Sequence, residues 1–208
     1  MSYSFKTFLK HTAKDFHNQS VNPPVVRAST IIFKSMQDIR KTQNKYKKDP
    51  RGGYFDYGRQ GTSTTHILQK ILSKLEESYY TFLTPTGFGS VFLAIFSVVR
   101  PGDEILIADP VYNPTRMLTQ DYLTEFGIKT IFYNPHDLNS LKKNITKNTK
   151  LIFVENPGSN TFEFQDLSKI TSLAKRRKIF TLLDNTWGTP LYLKPLELGF
   201  DMSFCSAT

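Results

Sequence analysis

Residues 179–208 read IFTLLDNTWGTPLYLKPLELGFDMSFCSAT, and the reading of this stretch decides the fold. Phe180 to Leu183 is a short apolar run without alternation, the pattern of a strand buried on both faces of a parallel sheet. The run delivers Asp184 to the strand's C-terminal end. Ligands of open α/β sheets bind at that edge, so a carboxylate there is a candidate functional group. Its burial is costly without a partner, which predicts a cationic group beside it.

Moving outward toward the N-terminus, the same grammar recurs: apolar run, turn, helix-period segment. It predicts strands over residues 79–83, Glu104–Ala108, 129–132, 150–154 and 179–183. Between them it predicts helices over residues 88–99, 115–126, Leu138–Asn144 and Leu167–Arg177. An earlier helix starts at Ser63 or Thr64 as N-cap and runs through Glu77, with Ile67, Leu68, Ile71, Leu72 and Leu75 at helical spacing. Strands alternating with helices imply βαβ units and right-handed crossovers. The fold class is therefore α/β, a mainly parallel sheet with flanking helices. Residues 1–56 show weak periodicity, the pair Pro23-Pro24 and a polar basic stretch from Lys41 to Gly53. They read as an extended arm that packs on something else.

Composition narrows the function. With 208 residues, 39% apolar and 13% aromatic, the chain has enough to build one globular core. It contains no run of ~20 apolar residues, the length a membrane span needs. The N-terminus has no continuous apolar core or small-residue cleavage site, so a cytoplasmic address is expected. The single cysteine, Cys205, excludes an internal disulfide and reads as core packing in a buried strand. A net charge of +9 is spread over several turns and helix faces, not gathered into a nucleic-acid-binding module. His11, His17, His66 and His136 lack metal-ligand spacing, so no metal site is expected.

Four loops follow predicted strands at the ligand-binding edge. Thr84-Pro85-Thr86-Gly87-Phe88-Gly89-Ser90 puts two glycines at a helix start, where free N–H groups and the helix dipole favour a phosphate. It is not a dinucleotide fingerprint, because the third glycine would fall at Phe92. A nucleotide-binding oxidoreductase is disfavoured for that reason. Tyr112, within Asp109-Pro110-Val111-Tyr112-Asn113-Pro114, is placed to stack on a flat ring or to anchor its loop. Asn156, within Glu155-Asn156-Pro157-Gly158-Ser159-Asn160, is placed to reach a ligand hydroxyl, in a segment that also reads as a turn. The fourth loop is Asp184-Asn185-Thr186-Trp187. Phosphate, aromatic ring, ring hydroxyl and protonated ring nitrogen together describe pyridoxal 5'-phosphate, an electron sink while its nitrogen stays protonated.

These loops, with Tyr57-Gly58-Arg59-Gln60-Gly61-Thr62, resemble the Cys/Met-metabolism family of pyridoxal-phosphate enzymes. The segment from Asn22 to Thr30, and Trp187 directly after Asp-Asn-Thr, make the chain most similar to the bacterial cystathionine beta-lyase branch. The resemblance implies the aspartate-aminotransferase-like (fold type I) architecture, with residues 57–208 as the N-terminal part of its cofactor-binding large domain. It implies that Gly87 and Phe88 offer N–H groups to the phosphate and Ser206 and Thr208 their hydroxyls. Tyr112 would stack on the ring, Asn156 approach its hydroxyl, and Asp184 hold its nitrogen. Tyr57 and Arg59 would reach the phosphate of a neighbouring subunit, which implies a homo-oligomer with residues 1–56 as an intersubunit arm.

In the family the Schiff-base lysine directly follows Ser-Ala-Thr, where these 208 residues end. No catalytic residue is therefore expected among them. Two functional classes follow. One is the N-terminal portion of a lyase that cleaves the carbon–sulfur bond of cystathionine, inactive alone and completed by a C-terminal polypeptide. The other is a non-catalytic remnant or an assembly partner of an intact homologue. A portion of a related cystathionine gamma-synthase or gamma-lyase is a further alternative within the family.

Overall fold

The computed structural model describes residues 7–9 and 21–207, so the Thr208 expectation lies outside the described residues. The chain divides into two compact units, Met1–Leu83 and Thr84–Thr208.

In the first unit, helix α1 (Met36–Lys48) starts at Ser35, whose hydroxyl accepts the Asp38 N–H at 3.2 Å. Lys45, Lys47 and Lys48 occupy its last turn, where they complement the helix dipole. It buries no residue. The basic stretch expected to be extended is thus helical through Lys48, because capping and charge placement supply what apolar periodicity does not. Helix α2 (Ser63–Glu76) has Thr62 as N-cap, one residue before the expected Ser63, with the Thr62 N–H donating to Thr65 Oγ1 at 2.9 Å. It stops on Glu77, which adopts a left-handed φ of 53°.

Residues 79–83, expected as a strand, form no ladder among the described residues. The Thr81 carbonyl instead accepts from Gln69 Nε2 at 3.0 Å, and its hydroxyl accepts from Ser73 Oγ at 2.9 Å. An apolar extended run becomes a strand only where a neighbouring backbone satisfies its N–H and C=O groups. Side chains of α2 do part of that here.

In the second unit, helix α3 (Gly87–Val98) leads to strand β1 (Glu104–Ala108). Helix α4 (Asn113–Met117), a π-helical stretch Leu118–Tyr122 and helix α5 (Leu123–Glu125) replace the single helix expected over residues 115–126. Within the π-helical stretch the Thr119 carbonyl accepts the Thr130 hydroxyl at 2.5 Å. Strand β2 (Lys129–Tyr133), helix α6 (Leu138–Asn144), strand β3 (Thr149–Glu155), helix α7 (Leu167–Arg177) and strand β4 (Phe180–Asp184) follow. A short helix α8 (Thr189–Tyr192) precedes strand β5 (Met202–Phe204).

The five strands form one parallel sheet in the order β2-β1-β3-β4-β5. Alternate residues face opposite layers. Leu106, Ile152, Val154 and Leu183 meet Leu141 of α6 and Leu167, Ile170, Leu173 and Ala174 of α7. Ile105, Ile107, Leu151, Phe153 and Leu182 meet Val91 and Ile95 of α3, with Leu118 and Leu123. Layers on both faces explain why β1, β3 and β4 read as continuous apolar runs. Cys205 stands one residue past β5 and is half-buried, not in the strand interior as expected. Among the described residues no helix is long and apolar enough to cross a membrane.

Candidate functional site

All five strands point the same way, so β3, β4 and β5 end at one edge and deliver Glu155, Asp184 and residues 205–207 there. Beside them begins α3. Thr86 is its N-cap and its Oγ1 accepts the Gly89 N–H at 2.9 Å, while the Ser90 N–H reaches the Thr86 carbonyl at 3.2 Å. The N–H groups of Gly87 and Phe88 make no hydrogen bond among the described residues. A twelve-residue helix therefore presents two unpaired donors at its positive end.

Gly87 lies against Ser206. A β-carbon on Gly87 would stand 2.7 Å from both Cβ and Oγ of Ser206, so this position has room for hydrogen only. Ser206 is held in turn by its N–H donating to Thr186 Oγ1 at 3.1 Å. The family resemblance grouped Gly87, Phe88 and Ser206, and the structure sets Gly87 against Ser206.

Asp184 is 7% exposed and its Oδ1 accepts the Thr186 N–H at 3.0 Å. Burial pushes its pKa up, against the opposing Thr186 hydrogen bonds. Among the described residues no lysine or arginine pairs with it. A buried carboxylate without a cation is the environment that a protonated ring nitrogen would complete. The donor pair, the glycine pressed on a serine and the buried acid together fit pyridoxal 5'-phosphate.

Sequence reasoning named Glu155 only as part of a motif. In the structure it stands opposite Asp184 in the β3–β4 register and is 4% exposed. Its Oε2 accepts the Tyr112 N–H at 2.6 Å. Burial pushes its pKa up to about 7, helped by the Asp184 charge and opposed by the Tyr112 N–H and the Ser159 hydroxyl. The available signal was an acid at the end of an apolar run, the same one that singled out Asp184.

Tyr112 caps α4 with its side chain half exposed. Its loop is pinned from behind by Arg116, which donates to the Asp109 carbonyl and to Asp109 Oδ1, the latter at 2.7 Å. The Arg116 guanidinium lies 3.9 Å from the Phe132 ring centroid. Asn156 is buried, and its Oδ1 accepts the Gln165 N–H at 2.7 Å. That leaves the amide nitrogen as the donor for a ligand hydroxyl. Gln165 also donates through Nε2 to the Glu155 carbonyl at 3.1 Å and accepts from Tyr133 OH at 2.7 Å. The Asn156–Pro157 peptide is cis.

Tyr57 and Arg59 belong to the first unit, together with each other. The Arg59 guanidinium is 5.0 Å from the Tyr57 ring centroid, and Tyr57 OH is 3.0 Å from Ser29 Oγ. Gly58 between them donates its N–H to the Ser29 carbonyl at 2.7 Å, and a β-carbon there would meet the Ala28 carbonyl.

Solved structures share this fold. A Campylobacter jejuni protein provisionally assigned as an O-acetylhomoserine (thiol)-lyase superposes with a TM-score of 0.86 at 27% identity, over 99% of this chain and 50% of its own. That structure holds N'-pyridoxyl-lysine-5'-monophosphate. By sequence, a Haemophilus influenzae cystathionine beta-lyase is 32% identical over 99% of this chain and 52% of its own length. A Wolbachia pipientis L-alanine/L-glutamate racemase is 35% identical over 91% of this chain and 48% of its own. The chain spans about half the length of the curated relatives it matches. Because the family model described as Cys/Met metabolism PLP-dependent enzyme matches residues 6–208, the chain belongs to that family.

Proposed function

We propose that this chain supplies the cofactor-holding portion of a pyridoxal-phosphate-dependent carbon–sulfur lyase, which cleaves cystathionine to homocysteine, pyruvate and ammonia. The observation that carries it is the convergence of three groups at one sheet edge. These are the unpaired Gly87 and Phe88 N–H groups, Ser206 against Gly87, and the uncompensated Asp184. The cofactor, when bound, supplies an electron sink beside the substrate's α-carbon.

The chain's own residues prepare that sink. Gly87, Phe88 and the hydroxyls of Ser206 and Thr208 hold the phosphate, and Tyr112 covers one ring face. Asn156 donates to the ring hydroxyl, and the Asp184 carboxylate keeps a proton on the ring nitrogen. Tyr57 and Arg59 serve the phosphate of a neighbouring subunit, with residues 1–56 as the intersubunit arm of a cytoplasmic homo-oligomer. Residues 57–208 then form the N-terminal part of the cofactor-binding large domain.

The test joins these residues, in one polypeptide or as a mixture, to the C-terminal half of a lyase relative. Pyruvate from cystathionine is followed by coupled reduction to lactate. Formation that depends on pyridoxal phosphate and is lost in Asp184→Ala supports the reading. No pyruvate from any well-folded combination overturns it. The 208 residues alone are expected to form none.

A second reading, amino-acid racemisation, is favoured by the 35% identity to the Wolbachia racemase. Its cofactor-holding residues would be the same. The joined protein incubated with L-alanine separates the two, since only a racemase yields D-alanine.

A further inference from the structure

Asp184 is not the only acid at the ring site. Glu155 faces it across the β3–β4 register, nearly closed to water, and clasps the Tyr112 N–H at 2.6 Å. Each neighbouring element contributes one group: β4 the Asp184 carboxylate, the loop after β1 the Tyr112 amide, and the loop after β3 the Ser159 hydroxyl. Gln165 meets Glu155 at its backbone carbonyl and not at its carboxyl group. Asp184 is the charge acting on Glu155. Two acids this close in a site closed to water resist ionising together.

We propose that Glu155 is a positioning residue that couples the two sides of the ring site. A cationic ring nitrogen neutralises Asp184, Glu155 then gives up its proton, and the new carboxylate holds the Tyr112 backbone more firmly. This rests on the reading of Asp184 and Tyr112 as ring contacts. In the ligand-free chain, burial first and the Asp184 charge after it push the Glu155 pKa up to about 7, so this acid exchanges its proton near neutrality. A cation against Asp184 cancels the charge, the Glu155 O–H bond breaks, and the proton passes to water. No electrons change hands. The Tyr112 N–H, already 2.6 Å from Glu155 Oε2, then donates to an anion, a stronger bond than one to a neutral acid. The tyrosine that stacks on the ring is thereby steadied by the arrival of the ring.

The probe is 4-deoxypyridoxine 5'-phosphate, which lacks the aldehyde and cannot react with surface lysines. Calorimetric titration of the full chain at pH 7, in two buffers of different ionisation enthalpy, counts the protons released. The probe's own ionisation is common to both proteins, so the difference between wild type and Glu155→Gln reports on Glu155. Wild type is expected to release more protons than Glu155→Gln, because only wild type has a Glu155 proton that the loss of the Asp184 charge can set free. Infrared difference spectra of wild type should lose a carboxylic acid carbonyl band on binding, a change that a purely structural Glu155 would not produce. Equal proton release, or a band that persists, overturns the coupling and leaves the cofactor reading standing. Failure of the probe to bind folded wild type overturns both. Should Glu155→Gln not fold, the wild-type band alone decides.

Discussion

Gly87 and Ser206 touch so closely that a β-carbon at position 87 would stand 2.7 Å from the Ser206 Cβ. That atom is fixed to the backbone, so relief requires moving the first turn of α3 or the segment after β5. Gly87→Ala is therefore expected to destabilise the chain by roughly 1–3 kcal/mol, the usual cost of overpacking. It should also weaken binding of a phosphate-bearing pyridoxine probe by at least ~10-fold, because ~1.4 kcal/mol is a factor of ten. Denaturant unfolding and a fluorescence titration measure the two effects. Unchanged affinity in a folded variant would remove Gly87 from the phosphate site.

The ends of several elements were legible because their signals are local. Leu138–Asn144 and Leu167–Arg177 match their expected bounds, with Asp137 and Asp166 capping backbone N–H groups and Lys178 ending the second in a left-handed conformation. Gly87 and Asp184 were legible as neighbours because a parallel sheet sends every strand end to one edge, whereas Ser206 was singled out only by the family resemblance. Helix α1 was not, since it buries nothing, although Ser35, Asp38 and the terminal lysines mark it. Residues 79–83 misled because strand propensity does not reveal whether a ladder partner exists. Glu155 escaped because its contact to Tyr112 depends on how the ends of separate strands meet, and Arg116 because its ring contact is to Phe132 on the next strand.

Asp184→Asn separates stability from function. The asparagine Oδ1 can still accept the Thr186 N–H, and the variant no longer buries a charge. The ligand-free chain should melt at the same temperature as wild type or higher. The pyridoxine-phosphate titration should weaken by ~10-fold or more, as expected for losing a charge-assisted bond to the ring nitrogen. A variant that binds as tightly as wild type would place the ring nitrogen elsewhere.

Ligand-free stability should fall as pH rises toward neutrality. The Glu155 pKa is raised from 4.5 to about 7 in the folded state, so the folded chain holds a proton that the unfolded chain has lost. Its stabilising contribution is complete below about 4.5 and disappears as pH climbs through about 7. The shift corresponds to an effect of the order of 3 kcal/mol. Asp184, whose pKa is also raised by burial, adds in the same direction. Urea unfolding between pH 5 and 8 should show the decline, and Glu155→Gln should flatten most of it. A flat wild-type profile would contradict the buried acid pair.

Arg116 gives the last test, because it divides an ion pair from a stack. Its side chain is 30% exposed and that of Asp109 is 65% exposed, so the charge pair lies largely in water. Such pairs contribute ~0–1 kcal/mol. The guanidinium has two further attachments: it donates to the Asp109 carbonyl, which survives in Asp109→Ala, and it lies over Phe132 at 3.9 Å. A cation over an aromatic face contributes ~0.5–2 kcal/mol, depending on desolvation. Arg116→Ala should therefore cost more stability than Asp109→Ala, with a coupling energy between them below ~1 kcal/mol in a double-mutant cycle. Arg116→Lys should recover little, since an ammonium cannot reach two oxygens and lie flat on the ring together. Equal losses for Arg116→Ala and Asp109→Ala with large coupling would show that the ion pair, not the stack, holds the loop that carries Tyr112.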